Sequence, residues 1–181
     1  LSNALAALKL GRILGIHEPV ILKVLSQYDG AWRRFEFKGI LNGAFLYSDY
    51  AHHPTEIKAT IAAARSRFPL RRVWCVYEPH QYERLAYLWE EFTRAFHLAD
   101  VVCILPVYEV AGRERPDTAK EVNSEKLAHE VAAGGKQAYH LDSFAHAEKF
   151  LRERARPGDV VLLMGAGNIY TLADTHANPP Q

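Results

Sequence analysis

The chain has 181 residues, 22 basic against 21 acidic side chains and a formal net charge of +1. A domain of this length buries roughly 70% of the surface of its unfolded chain, so it needs neither a disulfide nor a metal to support a core. Balanced charge excludes a general field for nucleic acid or an anionic membrane, and any anionic ligand must be met by local groups.

In chain order, residues 2–14 and 19–28 read as two helices. The first has Ser2 or Asn3 as a cap and Gly15 as a stop, and the second carries Val20, Ile21, Val24, Leu25 and Tyr28 on one face. Together they form a small helical hairpin. The chain opens inside this helical pattern without a starting Met, which reads as a piece of something longer. The stretch "RRFEFKGILNGAFLYSDY" then gives two β-type runs around Asn42-Gly43, the dipeptide that best tolerates the positive φ angles of a tight turn.

From Pro54 the pattern changes to helices alternating with apolar strands. A helix over 54–67 has Pro at its first position, and Ile57, Ile61, Ala64 and Phe68 line one face. Strand "RVWCVY", a helix over 82–98 with Leu85, Leu88, Trp89, Phe92 and Phe96 at helical spacing, and strand "DVVCILPV" follow. A polar loop, "YEVAGRERPDTAKEV", leads to a helix over 124–133, a weak strand over 137–141, a helix over 143–155 and the strand "DVVLLMG". The tail "THANPPQ" reads as loose. Cys75 and Cys103 lie inside the apolar runs, where a thiol serves as a small core side chain.

Continuous apolar strands separated by amphipathic helices require a parallel sheet covered on both faces. The expected fold is α/β: an open, mostly parallel, Rossmann-like sheet with an antiparallel hairpin at its start and a helical hairpin before it. Boundaries are expected near residues 30 and 175. With no signal peptide, lipidation motif or apolar run of membrane-spanning length, the expected location is the cytoplasm.

In such sheets ligands bind outside the carboxyl ends of the strands. The loops there are "SDYAHHPTE", "YEPHQYER", "PVYEVAGRERPD" and "MGAGNIY", so Asp49, His52, His80, Arg84, Tyr108 and the Gly165-Ala166-Gly167 turn are expected to converge. His80 and Arg84, four apart at a helix start, either hold a small carboxylate or lie on the surface. Asp49 either accepts hydrogen bonds from ribose hydroxyls or is satisfied by backbone donors at a helix N-terminus. His52 and His53 point in opposite directions, and His52 is expected to face the cleft while His53 caps or packs. Arg33 and Arg34 either clamp a phosphate or are solvated. "MGAGN" is a weak phosphate site, because its glycines serve turn geometry as readily.

Six segments, "SNALAALKLGRILGI", "GAWRRFE", "DYAHHPTEIKATIAAAR", "EPHQYERLAYLWEEF", "ADVVCILPVYEVAGRERP" and "LLMGAGNIY", resemble in this order the end of the central domain and the carboxyl-terminal domain of the Mur ligases. The similarity is greatest to the branch that adds L-alanine to UDP-N-acetylmuramate in peptidoglycan synthesis. The resemblance implies ATP-dependent amide formation through an acyl phosphate, with ATP and Mg²⁺ held mainly by an upstream domain. It makes residues 1–30 the end of the central domain and 31–175 the carboxyl-terminal domain. It implies nucleotide-binding roles for Asn3 (adenine), Arg34 (phosphates), Asp49 (ribose) and His52, and amino-acid-binding roles for His80, Arg84, Tyr50, Gly165, Ala166 and Gly167. Catalytic groups and the muramyl site are expected upstream, so the fragment by itself is expected to be inactive.

Three positions depart from the family pattern. Glu78 stands where a Gln is usual, Gln81 where an Arg is usual and Asn168 where an Asp is common, which leaves the accepted amino acid open. Alternative readings are a ligase domain that recycles a muramyl tripeptide and a non-catalytic nucleotide-binding module. A metal-dependent hydrolase built on Asp49, His52, His53 and His80 has suitable ligand types but no spaced metal motif.

Overall fold

The structure, a computed structural model, describes residues 2–28, 30–110 and 118–174. The central part of the polar loop, residues 111–117, and the tail from 175 onward lie outside the described residues. The chain divides into two units, residues 1–32 and 33–181.

The first unit is a pair of helices, α1 (Ser2–Ile13) and α2 (Glu18–Ser26). Pro19 sits in the first turn of α2, where its missing N–H costs nothing. Gly11 allows close approach of Ile21, since a Cβ there would stand 2.6 Å from the Ile21 side chain. Leu5, Leu10, Ile13, Leu14, Val20 and Val24 remain exposed.

The second unit contains β1 (Glu36–Leu41), β2 (Ala44–Asp49), α3 (Pro54–Arg67), β3 (Val73–Tyr77), α4 (Tyr82–Tyr87), α5 (Trp89–Thr93) and β4 (Val101–Ile104). These are followed by α6 (Thr118–Glu121), α7 (Ser124–Ala133), β5 (Gln137–His140), α8 (Phe144–Arg154), β6 (Val160–Met164) and α9 (Thr171–Asp174). The six strands form one sheet in the order β1-β2-β6-β3-β4-β5. Only β1 and β2 pair antiparallel; the other four pairings are parallel. The hairpin turns on Asn42 and Gly43 at φ 52° and 80°, the left-handed pair that suits a two-residue connection.

Register decides where the loops emerge. Asp49 pairs with Met164, Met164 with Tyr77, Tyr77 with Ile104 and Ile104 with His140. Five strands therefore end on one row. Helix α3 starts just beyond it on an uncommon cap: the His53 imidazole accepts from Thr55 N–H at 3.3 Å, while Glu56 Oε2 accepts from His53 N–H at 3.2 Å.

The central strands β3, β4 and β6 are buried on both sides. One core joins Ile57, Ile61, Phe92, Phe96, Leu127 and Val131 to Cys75, Tyr77 and Ile104, and the other joins Leu46, Trp74, Cys103 and Leu163 to Leu151 and Ile169. The two thiols thus occupy opposite faces, and burial pushes Cys103 to about 12 and Cys75 well up. Neither is a nucleophile at neutral pH.

The helix expected over 82–98 is instead two short pieces that break at Leu88. The break brings Phe92 and Phe96 both onto Tyr77, at ring distances of 5.9 and 5.6 Å. Core packing outweighs the continuity of a helix made of aromatic residues with modest helix propensity.

At the opposite edge, Asp159 ties the start of β6 to β3. Only 5% exposed, it accepts from Trp74 Nε1 at 2.9 Å, Arg72 Nη2 at 2.6 Å and Arg156 N–H at 3.0 Å. Burial alone would raise its pKa, but the hydrogen bonds from Arg72, Arg156 and Trp74 and the Arg72 charge bring it below the ordinary carboxylate value. A depressed folded pKa gives stability that is present above the unfolded value and lost as pH falls through the folded one. Asp159→Asn is expected to cost about 1–3 kcal/mol at neutral pH, with the difference from wild type closing below about pH 4, as read by urea unfolding followed through tryptophan fluorescence.

Candidate functional site

Asp49 ends β2 and is 6% exposed. Its Oδ2 accepts from Phe35 N–H at 2.8 Å, and its Oδ1 accepts from Ala51 N–H at 2.8 Å and the Thr60 hydroxyl at 3.3 Å. The carboxylate thus braces the segment before β1 and the turn after β2. Tyr50 then swings outward and is half-exposed, with the Arg34 guanidinium 5.7 Å from its ring centroid. His52 packs edge-on against Tyr50 at 5.2 Å, its Nδ1 lying 3.0 Å from the Tyr50 carbonyl and 3.4 Å from Glu56 Oε2. Burial pushes Glu56 up, yet the backbone N–H groups of His52 and His53, with the charges of His52 and Arg34, hold it below the ordinary glutamate value.

His80 leaves β3 and stacks on Tyr108, which follows β4, with ring centroids 5.4 Å apart and planes 14° from parallel. Two backbone bonds lock this meeting of loops: Tyr108 N–H donates to Pro79 at 2.7 Å and Gln81 N–H donates to Tyr108 at 3.0 Å. Gln81 pays for this position with a φ of 67°. Arg84 Nη1 lies 3.4 Å from His80 Nδ1. A guanidinium only donates, so the geometry assigns the imidazole proton to Nε2. The His52 and His80 rings are 5.9 Å apart.

The turn after β6 closes the rim. Gly165 N–H donates to the Asp49 carbonyl at 3.2 Å, Glu78 N–H to the Met164 carbonyl at 2.9 Å, and Ile169 N–H to Glu78 Oε2 at 3.1 Å. A Cβ on Gly167 would stand 2.5 Å from Glu78 Oε2 and 2.6 Å from Tyr108 Cδ2. Glycine is required there by Glu78 and Tyr108 themselves. Ala166 is half-buried between the two glycines.

Tyr50, His52, His80, Arg84, Arg34, Asp49 and the Gly165–Gly167 turn therefore share one rim. Asn3 lies exposed on α1 in the other unit. Tyr170 escaped the sequence reading, which gave Arg33 as a phosphate clamp or a solvated side chain and Glu78 as a departure from the family pattern; the structure buries both. Glu78 and Glu109 also line a cavity of about 410 Å³ beside Tyr108 and Phe144. Asp49, His52, His53 and His80 do not assemble a ligand set: among the described residues no group of three or more His, Cys, Asp or Glu is placed to hold a metal ion.

The family model described as "Mur ligase, glutamate ligase domain" matches residues 33–167. The chain belongs to the Mur ligase family. It is 42% identical to the UDP-N-acetylmuramate–L-alanine ligase of Lachnoclostridium phytofermentans over 173 residues, which is 96% of this chain and 36% of that protein. Identity to the corresponding ligase of a Synechococcus species is 43% over 169 residues, covering 93% and 34%. The crystal structure of the UDP-N-acetylmuramate-alanine ligase of Thermotoga maritima superposes with a TM-score of 0.75 at 26% identity, covering 96% of this chain and 36% of that one. The chain thus spans about a third of the length of the relatives it matches.

Within this Mur ligase domain, burial raises the Glu78 pKa, while the Ile169 and Asn168 N–H groups and the Arg33 charge oppose the rise only in part. A raised folded pKa means that ionising Glu78 costs stability as pH climbs from the unfolded value through the folded one. Glu78→Gln has no such cost. The stability of the variant relative to wild type is therefore expected to grow from about pH 4.5 upward and then level off, as measured by thermal unfolding across pH.

Proposed function

We propose that the chain is the carboxyl-terminal part of a cytoplasmic, ATP-dependent ligase that joins L-alanine to UDP-N-acetylmuramate in peptidoglycan synthesis. The observation that carries this reading is the meeting of His80 and Arg84, a pair suited to a carboxylate, with Arg34, Tyr50 and His52 on one rim. The similarity to alanine-adding ligases supports the choice of acceptor.

In the reaction the muramyl carboxylate attacks the γ-phosphorus of ATP, ADP leaves, and the alanine amine then attacks the acyl carbon and expels phosphate. This domain supplies positioning. Arg84 N–H groups and His80 Nε2–H donate to the alanine carboxylate, while Tyr50 and the Gly165-Ala166-Gly167 turn wall the pocket. Arg34 meets the nucleotide phosphates and His52 lies between nucleotide and amino acid, while the Asp49 carboxylate, which the resemblance gave to the ribose, accepts from Phe35, Ala51 and Thr60 and so holds the turn that carries Tyr50 and His52. Mg²⁺ would neutralise phosphate charge, with its protein ligands and the groups that act on the acyl carbon coming from the upstream part of the longer protein. Residues 1–30 are read as the end of the central domain, whose remainder covers the exposed apolar side chains of α1 and α2.

The full-length ligase is expected to release ADP only when UDP-N-acetylmuramate and L-alanine are both present. Turnover with a tripeptide instead would assign the recycling branch, and nucleotide binding without turnover would assign a non-catalytic module. His80→Ala and Arg84→Ala are each expected to raise the KM for L-alanine by about 10–100-fold, the equivalent of losing a charge-assisted hydrogen bond. The KM for ATP should stay near wild type, which steady-state kinetics checks.

A further inference from the structure

Arg33 and Arg34 both approach the Tyr50 ring, but they differ in burial. Arg34 is exposed, whereas Arg33 is 2% exposed. Its guanidinium carbon lies 5.0 Å from the Tyr50 ring centroid and 4.7 Å from that of Tyr170, and its Nη2 donates to the Gly165 carbonyl. The backbone is committed as well: Arg33 N–H donates to Glu36 Oε2 at 2.9 Å, and Arg33 C=O accepts from Tyr50 N–H at 2.7 Å. Its φ of 54° holds the residue in the left-handed region.

A buried guanidinium costs several kcal/mol unless its surroundings compensate. Here two aromatic faces and a carbonyl do so, with the carboxylates of Glu78 and Asp49 contributing favourable charge. The partners belong to different walls of the rim. Tyr50 follows β2, while Gly165 and Tyr170 bracket the turn after β6. That turn is anchored through its N–H groups by the Asp49 carbonyl and Glu78, and Arg33 holds its carbonyl side.

We propose that Arg33 is a positioning residue that sets the spacing between Tyr50 and the Gly165–Tyr170 turn, and with it the width of the amino-acid pocket, without touching substrate. The pocket half of this statement rests on the function proposed above. Lysine cannot replace Arg33, because an ammonium has neither the flat faces that stack between two rings nor a rigid fork of donors. The strut is a matter of shape as much as of charge.

Two measurements on full-length Arg33→Lys and Arg33→Met proteins test this. Hydrogen exchange of the Gly165 and Ile169 amides should accelerate about tenfold or more, while amides of β3 and β4 stay protected, since only a local opening is made easier. In kinetics the KM for L-alanine should rise about tenfold or more, with the KM for ATP within about twofold, because a small misplacement of one wall weakens one ligand. Tyr170→Leu should reproduce the effect, and combining it with Arg33→Met should add little, as for two parts of one strut. Unchanged exchange at the turn in both Arg33 variants overturns the proposal. So does a lowered melting temperature with an unaltered KM for L-alanine. If the wild-type ligase does not turn over L-alanine, the proposed function fails while the exchange data still decide the role of Arg33.

Discussion

The arrangement rests on the insertion of β6 between β2 and β3 in a register that ends five strands on one row. Parallel strands that end level deliver their loops to the same edge, so groups more than a hundred residues apart in the chain become neighbours. The bond from Gly165 N–H to the Asp49 carbonyl is the most direct expression of this. A slip of one residue between β2 and β6 would turn side chains to the other face and separate the two walls.

Around that row the polar residues divide into two kinds. Asp49, Glu78 and Arg33 are buried and spend their hydrogen bonds on backbone groups of neighbouring loops. Tyr50, His52, His80, Arg84 and Arg34 are exposed or half-exposed and face the rim. The buried set gives up solvation to make the exposed set rigid, which is what a binding site on loops requires. Guanidinium and imidazole groups are thereby held at one edge, while Arg65, Arg71 and Arg72 bond to carbonyl groups at the opposite edge.

Much of the fold was legible in the chain itself. Asn42-Gly43 announced the hairpin, Pro54 the start of α3, and the continuous apolar runs the parallel strands, because turn chemistry and two-sided burial act over a few residues. The rim was legible in outline, since each loop rich in polar side chains follows a strand. The length of α4 was not, because Leu85, Leu88, Trp89, Phe92 and Phe96 fit one long helix equally well until Tyr77 is present to attract two of them.

Amino-acid order by itself determined the class of fold, the family and the loop that carries His80 and Arg84, all of which depend on local patterns. Only the tertiary structure separated Arg33 from Arg34, made Asp49 a brace for two turns, and showed that Gly167 is glycine because Glu78 and Tyr108 leave no room for a side chain. These features depend on strand order and on side chains that meet across the sheet edge, and no local pattern encodes which distant partner a buried charge will find.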